Sequence, residues 1–200
     1  MYTLYEAQEL PEPLVGTETR WLARHAGELA AGFVIPSTFE EGYYRQNNLP
    51  EQLRRLFAPV QPQRIDEDLL EPLCHQAAQL VRTSALLDDD VQLLFRALHH
   101  AELDRGPVHL RRPGQRRGEQ ALARPPGHEV LHALKRLWAA DWSFEAVLER
   151  LDHAGSVGLE ALPVLVLAGP PGQPDPLRAL ELGLAQAWSN PQGLVGLDVG

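Results

Sequence analysis

The sequence predicts a mainly helical α+β domain with a small β component, which includes an arginine-rich hairpin at residues 106–123. Apolar residues recur at helical spacing over long stretches, as between Ile65 and Val81. Asp175-Pro176 is a typical helix start, with a capping residue before a proline. Pro163–Ala168 is an apolar run typical of a buried strand. A length of 200 residues and an apolar share of 44% suit a single compact domain over residues 1–200.

The N-terminal half is predicted to be helical on both sides of an aromatic-rich segment. Its elements follow in this order: a helix from Thr17 or Thr19 to near Gly32, a short strand or loop at 32–48, a short helix from Asn48 to before Pro59, a helix from Ile65 to Val81, and a helix from Ser84 or Asp88 through Leu98. Pro72 lies inside the third helix, so we expect a kink or a new start there. The proline-containing segment 59–64 allows a sub-boundary within the domain.

Turn and cap signals divide the C-terminal half. Val108 and Leu110 alternate with polar residues, Pro113-Gly114 predicts a turn, and residues 119–123 can return as a second strand. The elements that follow are a helix from Gly127 to Trp142, a helix capped by Ser143 that ends at His153, a strand at Pro163–Ala168, a helix from Asp175 through Trp188, and a last strand or frayed end at 193–200.

The composition bears on compartment and on partners. Cys74 is the only cysteine, which excludes an internal disulfide and favours a reduced, cytoplasmic setting. The N-terminal stretch MYTLYEAQELPEPL carries acids rather than lysine or arginine, unlike a signal peptide. The longest apolar run, Leu162–Ala168, is too short to cross a bilayer, so we expect no membrane association. The net charge of −9 disfavours binding of nucleic acid or anionic lipid over the whole surface.

Positive charge is concentrated in residues 105–124. This segment holds six arginines against one acid, Glu119, a local formal charge of +5, so the other residues carry −14. The six are Arg105, Arg111, Arg112, Arg116, Arg117 and Arg124. Arginines on an exposed hairpin or loop bind phosphate without reading bases, and such binding weakens as salt rises. They could instead pair with an acidic face of this protein or of a partner.

The order of elements around this segment resembles that of winged-helix proteins. A helix at 91–103 leads into a short strand, an arginine-rich turn and a return strand. The resemblance implies DNA contact through the helix and the hairpin. Asp88, Asp89 and Asp90 depart from it, because three carboxylates at the start of a recognition helix repel DNA. We therefore expect contact through the hairpin, without base reading.

His128-Glu129-Val130-Leu131-His132 resembles the zinc signature of the zincin metallopeptidases. In that family two histidines one helical turn apart bind Zn²⁺, and the glutamate acts on the bound water. The resemblance implies ligation by His128 and His132, catalysis by Glu129, and a third ligand from the next helix. The candidates for that ligand are Glu149, Glu145, Asp152 and His153.

Three features of this string disagree with a zinc site. Pro125-Pro126-Gly127 places His128 in the first helical turn, where the helix dipole disfavours a cation. The two histidines point away from the apolar face of their helix, whereas a catalytic metal needs a shielded cleft. Lys135 adds a further positive charge on the same side.

The leading hypothesis is a non-catalytic binding or regulatory protein that contacts an anionic partner through residues 105–124. DNA or RNA is the preferred partner, an acidic protein comes second, and no cofactor is needed. The alternative is a zinc-dependent hydrolase that uses residues 128–132. A helical assembly protein with a structural role is a third hypothesis, and the sequence predicts no oligomeric state.

Overall fold

Helices and antiparallel strands share the chain, which confirms the predicted α+β class. The computed structural model describes residues 1–198. The helices are α1 (Glu12–Val15), α2 (Thr17–Ala23), α3 (Ser37–Gln46), α4 (Leu49–Leu56), α5 (Glu67–Thr83), α6 (Asp88–His100), α7 (His128–Ala140), α8 (Phe144–Ala154) and α9 (Pro176–Leu182). The strands are β1 (Tyr2–Thr3), β2 (Gly32–Ile35), β3 (Gly106–Arg111), β4 (Gly118–Ala123), β5 (Val164–Ala168), β6 (Gln173–Pro174), β7 (Gln186–Asn190) and β8 (Gly193–Asp198).

The strands form two sheets in which neighbouring strands are antiparallel. The larger has the order β1-β2-β5-β3-β4 and the smaller has the order β6-β7-β8. Strands β3 and β4 form the hairpin that the sequence predicts at 106–123. This hairpin does not project as the wing of a winged-helix protein does, because β3 also pairs with β5 from Val108 to Arg111. Strand β3 is therefore an inner strand, and its residues 108–111 are buried.

The larger sheet separates two apolar clusters. On one face, Val108 of β3 belongs to the same cluster as Trp138 of α7. On the other face, Leu165 and Leu167 of β5 belong to a cluster with Leu194 of β8. Fully burying a large apolar side chain contributes roughly 1.5–3 kcal/mol. The sheet is therefore held from both sides, by helices on one face and largely by the smaller sheet on the other.

Local signals set several element ends where the sequence predicts them. Ser143 caps α8 by accepting the N–H of Ala146, and Asp175 caps α9 by accepting the N–H of Arg178. The apolar run at 163–168 forms β5. No helix within residues 1–198 combines the length and the apolar character needed to cross a membrane.

Two element predictions in the first half of the chain were wrong in their extent. Helix α2 ends at Ala23, well before the predicted end near Gly32. Residues 32–48 hold both β2 and the helix α3, where a short strand or loop was predicted. Helix α5 is continuous through Pro72, so the new start that was one of the two expectations there does not occur.

The predicted helix from Asp175 through Trp188 was also wrong. Gly183 adopts a φ of +66°, a left-handed conformation that suits glycine, and α9 ends there. Leu177 and Leu180 of α9 are 75% and 80% exposed. Trp188 lies instead in β7, and residues 193–198 form the last strand, β8. Residues 199–200 of the predicted tail lie outside the described residues.

Candidate functional site

Arg111 lies in the interior, paired with Glu18 of α2. The two side chains are 2% and 5% exposed. The Arg111 guanidinium donates to both carboxylate oxygens of Glu18, with an Nη2–Oε1 distance of 3.0 Å. It also donates to the backbone oxygen of Val195 in β8. A bidentate arginine–carboxylate pair is the strongest geometry for such a contact.

Glu18 accepts three further hydrogen bonds. The donors are Arg116 and the backbone N–H groups of Gly114 and Leu197, the last at 3.0 Å. Burial alone raises the pKa of Glu18, but Arg111, Arg116 and Gly114 more than offset this, so its pKa lies below the ordinary value. The carboxylate therefore joins helix α2, the β3–β4 turn and strand β8.

Arg116 completes this cluster from the β3–β4 turn. Its guanidinium carbon lies 3.9 Å from the ring centroid of Trp188 in β7, and Nη2 donates to the backbone oxygen of Leu197. The residue of β8 that faces the cluster is Gly196. A Cβ atom there would lie 2.6 Å from Nη1 of Arg116, so a larger residue would displace this guanidinium from its position in the cluster. We call Glu18, Arg111 and Arg116 the Glu18 cluster.

Arg112 is buried in a second cluster. It is 1% exposed and pairs through both terminal nitrogens with Glu40 of α3, which is also 1% exposed, at 2.8 and 2.9 Å. It also donates to Asp141, which follows α7, and to the backbone oxygen of Leu162. Glu40 in turn accepts the N–H of Leu162. Arg112 thus links α3, the end of α7 and the segment that precedes β5.

The structure therefore divides the six predicted binding arginines into three sets: two buried, one partly buried and three exposed. Arg111 and Arg112 form ion pairs with acids of this protein. The sequence analysis left this open as the alternative to binding a partner. They have no free surface for a phosphate, so they cannot contribute to a binding surface. Arg116 is partly buried and shares the carboxylate of Glu18.

Arg105, Arg117 and Arg124 remain exposed. None of the three forms an ion pair with a residue in the range 1–198 that the structure describes. Arg117 immediately precedes β4 and Arg124 immediately follows it. Arg105 precedes β3, whose first residue pairs with the last residue of β4, so it lies beside Arg124. The free positive charges thus stand at the two ends of one hairpin.

Strand β4 is an edge strand of the larger sheet. Its side chains alternate between the covered face and solvent, and Gln120 and Leu122 are exposed. Leu122 is 48% exposed, which is high for a leucine in a sheet. Glu119, the one acid of the strand, is already paired with Arg136 of α7 at 2.7 Å. Arg117, β4 and Arg124 form what we call the β4 edge.

The His-Glu-x-x-His string begins α7, as the proline pair before it predicts. His128, Glu129 and His132 are all exposed, and His128 packs edge-on against Phe95 with centroids 5.3 Å apart. Glu149 is exposed on α8. Among residues 1–198, no group of three or more histidine, cysteine, aspartate or glutamate side chains is arranged to hold a metal ion. The residues therefore do not fit a zincin centre.

We expect added Zn²⁺ to leave the melting temperature of the protein nearly unchanged. A ligand that binds only the native state raises stability by an amount set by its concentration and affinity. His132→Ala should therefore melt as the unmodified protein does, with and without zinc. Differential scanning calorimetry of both proteins checks this. A zinc-dependent rise in melting temperature that His132→Ala abolishes would restore the hydrolase hypothesis.

Sequence reasoning missed His109, which lies beside the Glu18 cluster. This side chain of β3 is 2% exposed, and neither ring nitrogen has a hydrogen-bond partner among the described residues. Burial and the nearby Arg111 lower the pKa of His109 to about 4. The histidine is therefore neutral at pH 7. Its burial follows from the position of β3 between β5 and β4, which no local pattern in the sequence shows.

Comparison of the chain with protein-family models gives no match, and comparison with the curated proteins gives no significant relative.

Proposed function

We propose that this is a non-catalytic binding protein that holds an anionic partner on the β4 edge. The observation that carries the proposal is the contrast between satisfied and free arginines. Arg111 and Arg112 are paired with acids inside the protein, whereas Arg117 and Arg124 flank an exposed strand and form no ion pair within residues 1–198. Arg105 adds a third free charge beside Arg124. Exposed charges without a partner contribute little to stability, which leaves binding as a reason to place them there.

An acidic segment of a protein suits this surface better than the nucleic acid expected from the sequence. Duplex DNA carries one charge per roughly 1.7 Å of helix axis, so a dense row of cations binds it most tightly. With Arg111 and Arg112 buried, two separated groups of free arginines remain on a protein of net charge −9. A protein segment needs only a few carboxylates at the right spacing, so the acidic remainder of the surface repels it less than it repels the continuous charge of a nucleic acid.

The test is fluorescence anisotropy with a labelled acidic peptide and with labelled single- and double-stranded oligonucleotides. The peptide has about eight residues, an aspartate at each end and alternating threonine and valine between them, to span the strand. Arg117→Ala with Arg124→Ala is expected to weaken peptide binding by about tenfold, the sum of two modest charge contacts. Binding should also weaken as salt rises, because exposed charges are screened.

The matched control is Arg45→Ala with Arg64→Ala, which removes the same charge from exposed arginines elsewhere. This variant should bind within about twofold of the unmodified protein. Equal losses in the two double variants would mean that only net charge matters, and would refute a site at β4. If the oligonucleotides bind more tightly than the peptide and lose affinity with Arg117 and Arg124, the anionic partner is nucleic acid.

A further inference from the structure

We infer that the β4 edge binds its partner by strand addition: an extended acidic segment pairs with β4 and becomes the sixth strand of the larger sheet. This inference rests on the proposed function and specifies how the partner is held. In strand addition, backbone hydrogen bonds supply affinity and side chains at alternate positions supply specificity.

The hydrogen-bond pattern of β3 fixes which backbone groups of β4 point outward. Gly169 N–H donates to the backbone oxygen of Pro107 at 2.8 Å, so Pro107 faces the β5 side. Backbone groups alternate in direction along a strand, so Val108 faces β4 and pairs with Ala121. The inward residues of β4 are therefore the odd-numbered ones. The outward residues are Gly118, Gln120 and Leu122.

Little covers these outward groups. Arg136 Nη2 reaches the backbone oxygen of Gln120 at 3.4 Å, a long contact from a side chain that Glu119 holds. Within residues 1–198, the outward N–H and C=O groups of Gly118, Gln120 and Leu122 have no backbone partner. Natural edge strands are commonly protected by proline, lysine or a bulge. Strand β4 contains neither of these residues, and its pairing with β3 is regular.

The charges at the ends of β4 specify the occupant. Arg117 and Arg124 are seven positions apart, which corresponds to about 23 Å of extended chain. An added strand with carboxylates about seven residues apart meets both arginines, and an apolar side chain between them packs on Leu122, which is 48% exposed. A second copy of this chain suits the edge less well, because antiparallel self-pairing brings its arginines against these arginines.

Leu122→Pro tests strand addition without breaking the hairpin. The N–H of Leu122 points outward, so proline there removes a donor to the added strand and leaves the β3 ladder intact. We expect the acidic peptide to bind about tenfold more weakly to this variant, while Leu122→Thr, which keeps the N–H, loses about threefold at most. Circular dichroism melting of both variants establishes that each is folded.

Amide hydrogen exchange by NMR gives a second readout on the unmodified protein. Peptide binding should slow exchange of the N–H groups of Gly118, Gln120 and Leu122. The inward N–H groups of Glu119 and Ala121 should change little, since they already bond to β3. Protection that alternates with a period of two residues is specific to an added strand.

The outcomes separate this inference from the proposed function. If Arg117→Ala with Arg124→Ala weakens the peptide but Leu122→Pro does not, and no alternating protection is seen, strand addition is refuted and the anionic surface stands. If neither variant alters peptide binding, both fail. Preferential binding of an oligonucleotide that Leu122→Pro leaves unchanged would also refute strand addition.

Discussion

Replacing Glu18 by glutamine is expected to lower the free energy of unfolding by about 3 to 5 kcal/mol, the usual cost of leaving one partner of a buried ion pair without its counter-charge. Arg111 is 2% exposed and would retain its charge in the interior. Arg116 and the N–H groups of Gly114 and Leu197 would lose a charged acceptor at the same time. Urea denaturation followed by circular dichroism measures the difference.

Glu9→Gln is the matched control for Glu18→Gln, because it removes the same charge from an exposed side chain. Its effect should stay within about 0.5 kcal/mol. Adding Arg111→Met to Glu18→Gln should cost less than the sum of the two single changes, because the two residues contact each other. A loss below about 1 kcal/mol for Glu18→Gln would mean that the Glu18 cluster does not hold β8 to the rest of the protein.

Replacing His109 by leucine is expected to remove a pH-dependent loss of stability. The unfolded chain protonates this histidine near its ordinary pKa of 6.5, whereas burial and Arg111 delay protonation in the folded protein to about pH 4. Stability is therefore full above pH 6.5 and falls as the pH drops toward 4, because the unfolded state binds the proton first. Between pH 7 and pH 5 the unmodified protein should lose about 2 kcal/mol relative to His109→Leu.

Urea denaturation at several pH values measures this difference. The carboxylates are common to both proteins, so their titration cancels in the comparison. His75→Leu, at an exposed position of α5, is the control and should retain the loss of the unmodified protein. At pH 7, His109→Leu should be as stable as the unmodified protein or more so, since neither ring nitrogen has a partner to lose. Parallel pH profiles for His109→Leu and the unmodified protein would contradict the prediction.

The elements that the sequence predicted well are those set by neighbouring residues. Ser143 caps α8 through the amide of Ala146, and the apolar run of β5 is bounded by turn-forming residues. Trp188 shows the limit of this reasoning. Its spacing from Leu184 fits a helix, but Gly183 ends α9 and pairing with β8 makes Trp188 part of a strand. Tertiary pairing overrides a local pattern there.

The candidate site was only partly predictable for a related reason. The concentration of arginines at 105–124 is visible in the sequence, and the hairpin that carries them was predicted. The acids that neutralise Arg111 and Arg112 are Glu18 and Glu40, 93 and 72 residues away, and no local pattern links them. The open edge of β4 depends on strand order, which places β3 between β4 and β5. Such an order is a property of the whole chain.

The Glu18 cluster also bears on the kinetics of folding. Glu18 accepts a hydrogen bond from Leu197, which is synthesised 179 residues later. A contact between such distant residues stabilises the fold only after a long loop has closed at a cost in entropy. Such contacts therefore slow folding. During synthesis, Glu18 and Arg111 can meet before β8 has left the ribosome, but the cluster cannot close until it has. We therefore expect a late folding step in which β8 docks, and we expect Glu18→Gln to accelerate unfolding more than it slows the earlier collapse.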